Sequence, residues 1–324
     1  MLVEEYGTSR LRTRILTTPD GRYFWHRTHL TDTARHRTAH RLTPSPNVAA
    51  ATFDWDTETE TETASHAASH AASHAAPCTA SYTAPGATSL ARTVWPPAPA
   101  PFPLGPVMEA VAHALRDIRE HPLPPGTTGP PPALGRLGRW LRTGTGPEGA
   151  ARLHRLCTDR LGPTRLDTLA QWCRDAAPGG TDDVLLHGEP SLGLTVPAPD
   201  GRRTVLLTGE TLSRGRPEHD AGWLLGELAE MADVAARNLP DPSAPSPFRL
   251  MAGAFLTAYG AAPDDTLLCR SATLRRTAHL LDYACGVGWS AGISAYADVL
   301  AGLTDDARSV LAPLTPLTPL TPPA

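Results

Sequence analysis

The sequence predicts an α+β chain of two lobes, one small and β-rich, the other mostly helical. Three observations carry this. Short apolar runs bounded by turn residues occupy the first 56 positions. A low-complexity stretch follows. From residue 104 onward, apolar residues recur at helical spacing, interrupted once by two short apolar runs. The expected organisation is a small lobe over 1–56, a low-complexity insert or linker over 57–103, a helical lobe over 104–312 and a disordered tail over 313–324.

In the small lobe, 10–17 alternates arginine with apolar or threonine positions, as a strand does. Pro19-Asp20-Gly21 is a turn signal, and Arg22–Arg27 reads as the returning strand of a hairpin. Asp32–Leu42 reads as a short helix capped by Thr31 or Asp32, and Val48–Trp55 as a further strand. The join begins with a Thr-Glu repeat, continues through Ala-Ser-His repeats ending at His66, His70 and His74, and runs on in Pro, Ala and Thr. The His-x-x-x-His spacing is suited to a metal on one helical face, but a slipped tandem repeat in a mobile insert accounts for it more simply.

In the helical lobe, Val107, Val111, Leu115 and Ile118 stand at helical spacing within 106–121. Further helices are expected at 133–142, 147–161, 163–176, 220–239, 246–259, 266–286 and 290–303. The tail repeats Pro-Leu-Thr.

With 324 residues, 41% of them hydrophobic, the chain can bury a sizeable core. A formal net charge of -4 gives no basic field for nucleic acid. The sequence contains no lysine, so all 29 basic residues are arginines. Five cysteines, Cys78, Cys157, Cys173, Cys269 and Cys285, include no C-x-x-C pair and do not suggest a disulfide framework. The acidic start lacks a secretory pattern, and no stretch approaches the roughly 20 apolar residues of a membrane span. A cytoplasmic protein is expected.

The chemistry concentrates in two segments about twenty residues apart. The first is Val184-Leu185-Leu186-His187-Gly188-Glu189-Pro190-Ser191. The second, Val205-Leu206-Leu207-Thr208-Gly209-Glu210, leads into Gly215-Arg216-Pro217-Glu218-His219-Asp220-Ala221-Gly222-Trp223-Leu224-Leu225. Each apolar run ends in a polar cluster with a carboxylate, as in a β-hairpin that carries two acids to one edge of a cleft. Asp220 reads as the N-cap of the helix that follows. Ser191 beside a histidine lacks the Gly-x-Ser-x-Gly pattern of a hydrolase nucleophile. No Walker A or Gly-x-Gly-x-x-Gly motif occurs.

The order of these segments resembles the catalytic and metal loops of aminoglycoside-phosphotransferase-like kinases. His187–Leu194 is similar to that family's His-Gly-Asp-x-x-x-x-Asn loop. Gly215-x-Pro217-x-x-Asp220 is similar to the segment that opens its long helix, and Leu274-Arg275-Arg276 with His279–Tyr283 resembles the helical lobe. The resemblance implies a two-lobed protein-kinase-like fold and an ATP-dependent phosphotransferase using Mg²⁺. It implies Glu189 as the base, His187 as a member of the catalytic loop, Glu210 as the metal ligand, and Arg22 or Arg27 as the cation on the nucleotide phosphates.

Four departures stand against it. Glu189 replaces Asp, Leu194 replaces the metal-binding Asn, Thr208 replaces the metal-binding Asp, and no lysine exists to grip phosphate. Two readings therefore compete: an atypical phosphotransferase acting on a hydroxyl, and a pseudokinase that binds a peptide or partner enzyme without transferring phosphate. A narrower likeness is to kinase-like components of class V lanthipeptide or thioamitide pathways. That likeness implies phosphorylation of a peptide Ser or Thr in company with partner modification enzymes.

Overall fold

The computed structural model describes residues 1–7, 11–30, 42, 45–53, 78–95, 100–124, 127, 129–238, 246–262, 265–290 and 292–314. Most of the helix expected over 32–42, Trp55, the three-histidine repeat and the tail beyond Leu314 lie outside these residues.

The small lobe is an antiparallel five-stranded sheet. Its strands are β1 (Leu2–Gly7), β2 (Leu11–Thr17), β3 (Tyr23–His29), β5 (Thr52–Phe53) and β6 (Cys78–Ala84), in the spatial order β1-β2-β3-β6-β5. The β2–β3 hairpin forms as the turn signal predicts, with Ile15 opposite Trp25. Both side chains are fully buried, while Arg12 and Arg14 point outward by the two-residue period of a strand. Trp25 satisfies its indole by donating to the Gly86 carbonyl at 2.9 Å. β1 has almost no buried face, so its sequence carries no alternation to read.

Two ordered elements fall within the stretch expected to be a low-complexity join. β6 pairs with β3 along its whole length, and a short helix, α1, spans Leu90–Val94. Cys78, Ala80, Tyr82 and Ala84 face the core while Thr79, Ser81 and Thr83 do not. The small lobe therefore extends past residue 56. Val48–Trp55 also differs from a single strand: β4 (Val48–Ala50) joins a different sheet from β5.

The larger lobe is helical: α2 (Leu104–Glu120), α3 (Pro132–Thr143), α4 (Ala150–Asp175), α5 (Glu218–Asn238), α6 (Pro247–Tyr259), α7 (Thr266–Gly286) and α8 (Gly292–Asp305). A 3₁₀ turn over Ala307–Leu314 takes in the first residues of the expected tail. α3 starts with Pro132 in its first turn and stops at Gly144, whose φ of 66° supplies the left-handed cap. The helices expected at 147–161 and 163–176 form one kinked element, broken by Gly162 (φ 77°) and Pro163. α5 lies close against α7. A Cβ on Gly222 would come within 2.2 Å of the Leu268 carbonyl, and one on Gly226 within 2.5 Å of Ala272's.

Four short strands lie between the lobes: β7 (Val184–Leu186), β8 (Thr195–Pro197), β9 (Thr204–Thr208) and β10 (Ser213–Gly215). The two apolar runs singled out in the sequence do not pair with each other. β7 pairs with β10, while β9 pairs antiparallel with β8 and parallel with β4. β9 is buried along its whole length. Leu206 packs into the core of the helical lobe, and Val205 and Leu207 pack into that of the small lobe. Side-chain alternation along one strand thus joins the two cores and leaves its end, at Thr208, on the seam.

Among the described residues, none of the five cysteines is in a disulfide. Among the described residues, no helix is long and apolar enough to cross a membrane.

Candidate active site

The loop after β7 is held from several sides. Asp220, in the first turn of α5, accepts the backbone N–H groups of His187 at 2.7 Å and Gly188 at 2.9 Å. It sits inside the helix rather than at its N-cap, so the helix expected to use it as a cap presents it to the loop instead. The Thr211 hydroxyl donates to the His187 carbonyl at 2.8 Å, and His219 Nε2 donates to the Gly188 carbonyl at 3.0 Å. Further along, Glu227 accepts the Leu192 N–H at 2.9 Å. Gly188 has φ 93°, and a Cβ there would lie 2.1 Å from the Thr211 carbonyl oxygen.

Burial sets the charge of the clamp. Burial raises the Asp220 carboxyl to about 7, against the two N–H donors that favour its anion. Burial lowers His219 to about 4, so its imidazole is neutral near neutral pH. His187 is lowered for the same reason. Its Nε2 donates to the Leu207 carbonyl at 2.9 Å, tying the loop to β9. In this geometry His187 is a strut between its loop and β9.

Glu189 lines a cavity of about 650 Å³ between the lobes. Its Oε1 accepts the Ala133 N–H at 2.7 Å, in the first turn of α3 where no intrahelical acceptor is available, and lies 3.5 Å from Arg136. Its Oε2 makes no hydrogen bond among the described residues.

Glu210 lines the same cavity from the far side, and its carboxylate is closely engaged. Oε1 accepts from Arg27 Nε and from the Tyr82 hydroxyl, both at 2.6 Å; Oε2 accepts from His29 Nε2 at 2.5 Å. Only 7% of its side chain is exposed. Burial alone would raise its carboxyl, but the Arg27 charge and the His29 and Tyr82 hydrogen bonds outweigh it and hold the group well below the usual carboxylate range. Burial likewise opposes the Arg27 charge and is outweighed by Glu210. Tyr82 is raised well above its ordinary value, first by burial and then by Glu210. The three donors come from adjacent small-lobe strands, and the acceptor follows β9, so the cluster fastens one lobe to the other.

The residues expected to grip phosphate separate. Arg27 lines the cavity. Arg22 sits at the β2–β3 turn, 63% exposed, paired with Asp20 at 2.7 Å and outside the cavity lining. Tyr82 and His29 carry no signal in the two conspicuous motifs. His29 follows Arg27 by the two-residue strand period. The alternation Cys-Thr-Ala-Ser-Tyr-Thr-Ala over 78–84 is the signal that marks Tyr82's strand.

The family-implied Mg²⁺ does not fit these side chains. Leu194 lines the cavity with an apolar side chain where an amide would be needed. The buried Thr208 hydroxyl donates to the Leu206 carbonyl at 3.0 Å. Glu210 is enclosed by cationic and hydroxyl donors. Among the described residues, no group of three or more His, Cys, Asp or Glu side chains is placed to hold a metal ion.

The strand order, the helical lobe and the seam between them define a two-lobed kinase-like fold of the α+β class. Solved structures of that fold are similar to this chain. One is the amicoumacin kinase hAmiN in complex with AMP-PNP, Ca²⁺ and Ami. It has a TM-score of 0.57 and 12% sequence identity, over 97% of this chain and 90% of that one. Another is the spectinomycin phosphotransferase APH(9)-Ia in complex with ADP and spectinomycin. It has a TM-score of 0.50 and 10% identity, over 97% of this chain and 86% of that one. At these identities the likeness shows the fold alone. No protein-family model matches the sequence, and the curated proteins include no match.

Proposed function

We propose that this chain binds a nucleotide in the cavity between its lobes and transfers the terminal phosphoryl group to a hydroxyl. The observation that carries the reading is Glu189, whose carboxylate lines the cavity: one oxygen is fixed on the Ala133 N–H, and the other, Oε2, makes no hydrogen bond among the described residues. A carboxylate held in this way can accept the proton of a hydroxyl within hydrogen-bond reach. The hydroxyl oxygen bonds to the terminal phosphorus, the bond from that phosphorus to the bridging oxygen breaks, and the diphosphate leaves. Glu189 Oε2 takes the proton. His187 and Asp220 hold the loop that presents Glu189, and Arg27 faces the phosphates.

The relatives of similar fold support the reading in kind, since those solved structures contain a nucleotide or its analogue. The cavity falls in the range of small-molecule pockets, so a small hydroxyl compound is the acceptor it suits best. A Ser or Thr of a ribosomally made peptide would enter by its side chain alone. Incubation with γ-labelled ATP and a panel of hydroxyl compounds and Ser/Thr peptides tests the reading. A labelled product is expected from the parent and not from Glu189→Gln. Transfer that survives in Glu189→Gln removes Glu189 as the base.

A second reading, binding without transfer, is favoured by the apolar Leu194 and the inward-turned Thr208. Nucleotide-dependent stabilisation without a labelled product from any acceptor would select it.

A further inference from the structure

We infer that Arg27, braced by Glu210, forms a polyphosphate site that works without a divalent cation. The inference rests on the proposal that the cavity takes a nucleotide.

Divalent cations hold phosphates by lending positive charge, and they reach the protein through carboxylates. Here Glu210, at the β9 end of the cavity, receives a guanidinium, an imidazole and a phenol. Admitting a cation would mean breaking short hydrogen bonds from Arg27, His29 and Tyr82 and placing the ion against the Arg27 charge. Leu194 and Thr208 offer it no replacement ligands.

The arrangement favours an anion. Arg27 spends its Nε on Glu210, and its two terminal nitrogens make no hydrogen bond among the described residues. The side chain is 13% exposed and lines the cavity. A guanidinium fixed at Nε presents a fork of N–H donors on its far edge, the geometry that suits two oxygens of a phosphate. His29 stands beside it on the same strand face and lines the same cavity. Glu210 is thus a positioning residue: it holds the guanidinium in place and offsets part of the cost of burying it.

Thermal-shift and calorimetric titration with ATP and with inorganic tripolyphosphate test this, each in EDTA and in excess Mg²⁺. Both anions are expected to stabilise the parent in EDTA, with no gain from Mg²⁺. Arg27→Gln should weaken both by about tenfold or more, and Arg27→Lys should restore only part of the loss. Glu210→Gln, which keeps the side-chain volume, should weaken the anions several-fold more than it weakens adenosine. A purely structural role for Glu210 would lower both together. Stabilisation that appears only with Mg²⁺ overturns the inference. So does binding of Mn²⁺ alone to the parent that is lost in Glu210→Gln, or the absence of any shift by either anion. Failure of the phosphotransferase reading looks different: the anions bind in EDTA, but no acceptor becomes labelled.

Discussion

Asp220 reaches back 33 residues to His187 and accepts the N–H groups of His187 and Gly188, one on each carboxylate oxygen. The relationship turns the first turn of α5 into a clamp for the loop that carries Glu189. Asp220→Ala should leave two buried N–H groups without partners. The expected loss is about 3 kcal/mol of folding stability in urea denaturation. Asp220→Asn, whose side chain still offers a carbonyl, should lose less.

The same clamp predicts an unusual pH profile. Asp220 is raised to about 7 in the fold from an unfolded value near 3.8, so between these limits the folded state keeps a proton that the unfolded state has shed. Its contribution is full below the unfolded value and falls as pH rises through the window. His219 is lowered from 6.5 to about 4, so between these limits the unfolded state holds the extra proton. Its contribution is full above 6.5 and falls as pH drops. The two slopes oppose each other between about 4 and 6.5. Asp220→Asn removes one of them. The variant's deficit relative to the parent should therefore be larger at pH 5 than at pH 7, by about 2 kcal/mol in paired urea denaturations. An equal deficit at both values would show that Asp220 does not titrate in this way.

Gly188→Ala should be among the most damaging small substitutions. The φ of 93° is costly for any residue with a Cβ, and the new carbon would lie 2.1 Å from the Thr211 carbonyl oxygen. A loss on the order of 3 kcal/mol is expected in thermal or urea unfolding. A loss under about 1 kcal/mol would mean that the loop relaxes away from Thr211.

The helical lobe is legible in the sequence because its apolar residues repeat at helical spacing and its stop signals stand where helices end. Pro122 follows α2, and left-handed Gly144 and Gly260 close α3 and α6. The loop carrying His187, Gly188 and Glu189 is legible for a different reason: its residue types are unusual and contiguous. The surroundings of Glu210 are not legible in this way. His29 and Tyr82 lie 181 and 128 residues from it, and nothing local ties them together. Strand pairing is similarly hidden. A short apolar run says that 184–186 and 204–208 are strands but not which partners they take, and β7 finds β10 while β9 finds β8 and β4. β6 has a clear alternation of its own, masked by the Ala, Pro and Thr on either side.

Glu189 joins two jobs that substitution can separate. Its Oε1 accepts the Ala133 N–H in the first turn of α3, and its Oε2, on a cavity-lining carboxylate, makes no hydrogen bond among the described residues. Glutamine retains an oxygen for the N–H but cannot take up a proton at neutral pH. Glu189→Gln should therefore stay within about 0.5 kcal/mol of the parent in stability while losing about 100-fold or more in transfer rate. Alanine removes both groups, so Glu189→Ala should lose the rate and also about 1 kcal/mol of stability through the uncapped helix. Unfolding midpoints and single-turnover rates on the two variants, measured in parallel, separate the roles. Equal stability of the two would mean that the Ala133 contact contributes nothing to holding α3. An unchanged rate in Glu189→Gln would place proton acceptance on a different group.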